Sequence, residues 1–93
     1  MLKFSMKDNE IFMRLEIAHY EYESYSAIIE ELELEGKYDD EFWKAWHQFI
    51  MSLGIYETIK RQLFIDFVYP KVGHKYNRWE ANFDNGELII YLE

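Results

Sequence analysis

Between Asp8 and Gly36 the apolar residues fall at Ile11, Leu15, Ala18, Tyr22, Tyr25, Ile29 and Leu32, in alternating steps of four and three. That is the seam of a helix that buries one face against a partner. With Asp8 as N-cap and Gly36 as C-terminal stop, the pattern predicts a helix over about residues 8–35. A second seam keeps the same steps through Phe42, Trp46, Phe49, Leu53, Tyr56, Lys60, Leu63 and Phe67. It predicts a helix over about 39–69, opened by acids in its first turn and closed by Pro70 and Gly73. If the chain turns at Gly36–Lys37, seam positions whose numbers sum to 74 or 75 oppose each other. Leu32 then meets Phe42, Ile29 meets Trp46, Tyr25 meets Phe49, Tyr22 meets Leu53 and Ala18 meets Tyr56. Loop length and register thus agree on an antiparallel αα-hairpin. Gly54 weakens the second helix locally and marks a kink or a close contact.

The last stretch, WEANFDNGELIIYL over residues 79–92, switches to alternation. Asn85-Gly86 reads as a two-residue hairpin turn. It sets Phe83 opposite Leu88, Ala81 opposite Ile90 and Trp79 opposite Leu92, all on one face. A lone hairpin is marginal in water and wants a third strand. Leu2, Phe4 and Met6 alternate with Lys3, Ser5 and Lys7 and supply one. The reading is an α+β fold of order β-α-α-β-β in a single domain, residues 1–93. The sheet is expected at the open end of the helical hairpin, with the turn between the helices at the other end.

Composition narrows the function. The chain has no cysteine, which removes disulfides, thiolate metal sites and thiol catalysis. The start, MLKFSMKDNE, lacks the apolar core of a signal peptide, and no run is long enough to span a membrane. A soluble, cytoplasmic protein is expected. The net charge is −8 and it is unevenly spread. Residues 16–41 carry ten acids against Lys37 alone, and the rest of the chain sums to +1. Direct nucleic-acid binding needs a basic footprint that is missing here. A basic protein surface is the partner that such a charge suits.

Sites for chemistry are sparse. Glu16 and His19 form an ExxH pair, and the hairpin register sets Glu57 near His19. Glu16 falls outside the seam, however, and the plainer reading is a boundary histidine paired with Glu23. His47 reads as a partly packed boundary residue, and His74 as part of a solvated loop with Lys71, Lys75 and Arg78. No serine sits in a nucleophile elbow, and no glycine-rich phosphate loop occurs. EELELEGKYDDE, residues 30–41, lacks the ligand order of a calcium loop. The chain is read as a non-enzymatic module with no metal and no cofactor.

That same stretch is the candidate binding site. Asp39, Asp40 and Glu41 suit the positive end of the second helix. Glu30, Glu31, Glu33 and Glu35 sit at the negative end of the first, where each costs about 0.3–1 kcal/mol. Folding does not ask for them there. They read either as a solubilising face or as a surface that meets a cation. Tyr38 and Trp43, off the seam beside these acids, are the apolar anchors of the second reading.

Near the end, NRWEANFDNGELIIYLE resembles the ending of small proteins of the CXXX repeat peptide modification systems, found beside radical enzymes. The match is a tryptophan, an aromatic four residues on, a turn, then Glu, Leu and Tyr-Leu. The chain departs from that pattern at Gly86, where a cysteine is expected, and at Tyr69-Pro70, where a tryptophan-rich helix is expected. The resemblance implies an accessory, binding role, with the edge strand of the hairpin, and Ile89 and Tyr91 on it, offered to a peptide or an enzyme. In size, charge and compactness the chain also resembles phage anti-CRISPR and DNA-mimic inhibitors, which occupy basic grooves. A toxin-immunity protein would have the same composition. Two hairpins pairing into a four-helix homodimer is a further expectation.

Overall fold

The computed structural model describes residues 1–92. Strand β1 (Leu2–Ser5) is followed by helices α1 (Glu10–Leu34) and α2 (Asp40–Leu63). A π-helical turn (Phe64–Val68) then leads into a short helix α3 (Tyr69–Val72) and strands β2 (Arg78–Asn82) and β3 (Glu87–Tyr91). The α+β class and the β-α-α-β-β order follow the expectation. The contacts gather into two compact units, Met1–Glu16 with Ile59–Glu93, and Ile17–Thr58.

The first unit holds the sheet, whose strands are ordered β1-β3-β2 with every neighbour antiparallel. β3 is therefore the central strand, which corrects its expected place on the edge. Its inward residues Leu88 and Ile90 are wholly buried, with Met6, Leu15, Leu63 and Val68. Burying a side chain of this size contributes about 1.5–3 kcal/mol. Aromatic contacts surround this core. Phe4 meets Phe67 edge-on at 5.4 Å, Phe12 lies 5.2 Å from Phe83, and Phe64 lies 5.2 Å from Trp79.

The β2–β3 register is two residues from the predicted one, since Trp79 faces Ile90 and Ala81 faces Leu88. A shift of two keeps every side chain on its face. It turns the expected two-residue loop into four residues, Phe83 to Gly86. Asn82 accepts the Asn85 N–H at 3.1 Å, and Gly86 adopts φ +64°. The Gly86 carbonyl accepts the Met6 N–H at 2.7 Å, and a Cβ on Gly86 would stand 2.8 Å from Lys7 Cγ. Glycine is required there for two reasons, so cysteine would not fit this turn. Leu92, expected opposite Trp79, lies beyond β3 and is exposed.

The helix ends also differ in detail. Asn9, not Asp8, caps α1: its side chain accepts the Phe12 N–H at 2.9 Å. The second helix does not stop at 69 but continues to Val72. Pro70 lies inside this continuation, where its missing N–H and its ring would disrupt an α-helical ladder. The preceding turn widens instead, and the Tyr69 N–H reaches back to the Phe64 carbonyl. Gly73, at φ +84°, ends the run.

The second unit, Ile17–Thr58, is a helical hairpin. Ile29, Leu32 and Phe42 form its core, with Ala45 and Phe49 packed against them. The α1 seam is as predicted here, with Ala18, Ile29 and Leu32 buried and Tyr22 and Tyr25 half-buried. On α2 the predicted seam is inward at Phe42, Phe49, Leu53, Tyr56 and Leu63, and departs at Trp46. Ala45 and Ser52 turn inward, and Trp46, predicted inside, is 40% exposed. The small side chains let the helices approach, and the indole is left at the flank. Ser52 satisfies its buried hydroxyl on the Phe49 carbonyl at 2.9 Å.

Candidate partner-binding groove

α1 ends in a Schellman closure. The Lys37 N–H donates to the Leu32 carbonyl and the Gly36 N–H to the Glu33 carbonyl, both at 3.0 Å, with Gly36 at φ +69°. The last turn of α1 holds no basic residue. Lys37, just past it, lies 3.2 Å from the Glu35 carboxylate. That hydrogen bond, then the charge of Glu35, raises the Lys37 pKa, with Glu41 and Asp39 adding to it. Asp39 caps α2, its carboxylate accepting the Glu41 N–H at 3.1 Å and the Phe42 N–H at 3.4 Å. Asp40 and Glu41 occupy the first turn of α2. The acids therefore split by role, as the dipole argument requires: three serve α2, and four oppose α1.

Ser26, Ile29, Glu30 and Glu33 on α1, with Trp46 and Phe49 on α2, line a recess of about 360 Å³. Residues 26, 30 and 33 share a face by their i, i+4, i+7 spacing. Ile29 and Phe49 belong to the hairpin core and form an apolar floor. Trp46 makes one wall, its ring 5.9 Å from Phe49 and stacked at 18° on Phe42. Glu30 and Glu33 are exposed at the opposite rim. A floor of this kind can take the aliphatic stem of a lysine or arginine. The carboxylates can then meet its charge, and an indole face can add a cation–π contact.

The predicted site residues fall in different places. Glu30 and Glu33 share this groove. Asp40 and Trp43 meet in a second, open depression of about 480 Å³ on α2, with Lys44, His47 and Gln48. Glu35 is held by Lys37, and Asp39 is the cap. Tyr38 packs edge-on against Phe42 at 5.0 Å. Glu31 and Glu41 are exposed and line neither recess. The sequence reading missed Ser26, Trp46 and Phe49 as groove residues. The signal for Trp46 was present in Ala45 and Ser52, a small pair seven residues apart beside the assumed seam.

His19 lies 3.7 Å from Glu23, as expected, and its ring is 6.0 Å from Tyr56. Tyr22 and Tyr56 stack edge-on at 4.9 Å. Burial, then the neighbouring Tyr22 and Glu57, pushes the Tyr56 hydroxyl up to about 12. Among the described residues no three His, Asp or Glu gather to hold a metal, and no helix is long and apolar enough to cross a membrane. No protein-family model, curated protein or solved structure matches the chain. The central position of β3 leaves β1 and β2 as the strands open to edge pairing, so the accessory role suggested by the C-terminal resemblance has no edge at Ile89 and Tyr91.

Proposed function

We propose that this protein is a small, non-enzymatic binding module that docks its acidic helical turn on a basic surface of a partner protein. The observation that supports this most is the groove, where Glu30 and Glu33 rim an apolar floor beside Trp46. A solubilising face needs carboxylates but no recess beneath them. A recess built only for apolar ligands would not set two carboxylates at its rim. Arginine or lysine side chains satisfy both parts. Surfaces dense in such side chains are those that hold nucleic acid, so the module acts as an inhibitor of the DNA-mimic, anti-CRISPR type in the cytoplasm. Glu31, Glu35, Asp40 and Glu41 extend the negative field around the groove and steer the approach. Tyr38 and Trp43 add apolar contact at the margin.

The partner is captured by pull-down from the native host on the immobilised full chain, at low and at high salt. The expected result is one dominant basic protein that is released by salt. The charge-reversed variant Glu31→Lys, Glu33→Lys, Asp40→Lys loses it. Retention of the same partner by that variant would refute the proposal.

A further inference from the structure

α2 carries a second surface outside the groove, which shares only Trp43 with the margin of the proposed docking face. Residues 42–56 contain no Asp or Glu, although the chain has 18 acids. Within that run Trp43, Ile50, Met51 and Ile55 are 58%, 48%, 52% and 51% exposed. Their spacing makes one stripe, with His47 and Gly54 between them. At 3.6 residues per turn the stripe points away from Ala45, Phe49, Ser52 and Tyr56, which face α1. Gly54 sharpens the point. It lies inside a helix, where glycine is less stable than alanine, and a Cβ there would meet nothing within 4 Å. Among the described residues no close contact requires a glycine there. A second helix crossing at Gly54 would, because the distance between packed helices is set by the side chains at the crossing.

We propose that this stripe pairs with the same stripe of a second copy, α2 against α2 and antiparallel, about a twofold axis near Ile50–Gly54. Charge selects this occupant and this direction. Two chains of net −8 approach at least cost across an acid-free face, and this run provides one. The exposed row Ile17, Tyr20 and Ile28 on α1 is flanked by Glu16, Glu21, Glu23 and Glu31, so two such rows would repel. A parallel pairing would bring the two acidic turns together, and an antiparallel one separates them. The four large side chains offer on the order of 400 Å² per copy, against about 800 Å² in a standard interface. The dimer is accordingly weak and forms with rising concentration.

Sedimentation equilibrium of the full chain, from micromolar to millimolar, tests this. The mass rises from 11.5 kDa towards twice that value and stops there. Added salt strengthens the association by screening the repulsion between copies, the opposite of its effect on the acidic groove. Ile50→Glu weakens association at least about tenfold while helix content is unchanged, and Ile17→Glu leaves it intact. A single-chain mass at every concentration would overturn the proposal. So would growth past two chains, weakening by salt, or equal sensitivity to Ile17→Glu and Ile50→Glu.

Discussion

Replacing Glu33 by lysine should stabilise the fold. Glu33 lies in the last turn of α1, its side chain exposed at the negative end of the helix dipole. Its carbonyl already accepts the Gly36 N–H, and that backbone bond does not depend on the side chain. Removing an unfavourable carboxylate and adding a favourable ammonium are two steps of about 0.3–1 kcal/mol each at low salt. The change also places a cation beside Glu30 and reduces the local excess of acids. A net gain of about 1 kcal/mol follows, which for a domain of this size raises Tm by roughly 4–8 °C. Circular dichroism melts at low and high ionic strength measure it. The gain should shrink in salt, because the Debye length falls from about 10 Å at 0.1 M to about 3 Å at 1 M. A lower Tm at low salt, or a gain that salt does not touch, would refute the claim that these glutamates oppose their own helix.

Four further predictions rest on other parts of the molecule. Gly86→Ala should lower stability by about 1–2 kcal/mol in urea unfolding, because its φ of +64° is left-handed and Lys7 stands against the added methyl. Leu88→Ala, at a wholly buried position of the central strand, should cost about 2–5 kcal/mol. Ile29→Ala in the smaller hairpin core should cost less, and amide exchange should be faster in residues 17–58 than in β3. The urea midpoint should fall between pH 10 and about 12, because the unfolded chain releases the Tyr56 proton there while the fold retains it. Tyr56→Phe should flatten part of that fall, and Tyr22 and Tyr76, raised by burial, and Lys37, raised by Glu35, contribute in the same direction.

The helical hairpin was legible because two independent signals, the seams and the Gly36 turn, agree on one register. The third strand and the buried face of the hairpin were legible from alternation alone. What escaped the sequence depended on competition between neighbours. Trp46 and Ala45 both satisfy the apolar period, and packing chose the smaller residue for the interior. Asn85-Gly86 allows a two-residue turn, but the Asn82 side chain and the contact with Met6 favour a four-residue one. β3 could be recognised as a strand, though its central position depends on where β1 adds. The acids of the site were visible as a cluster. The groove was not, since it depends on Trp46 lying at the flank of the hairpin, across from Glu30 and Glu33, rather than inside it.

The groove is proposed to take a cationic side chain of a protein partner. Nuclear magnetic resonance titration of the labelled chain with a short arginine-containing peptide tests it most directly. Shifts should concentrate on Ser26, Glu30, Glu33 and the Trp46 indole, fade at high salt, and vanish in the Glu30→Lys, Glu33→Lys variant. Shifts spread evenly over the acidic surface, or unchanged in that variant, would contradict it.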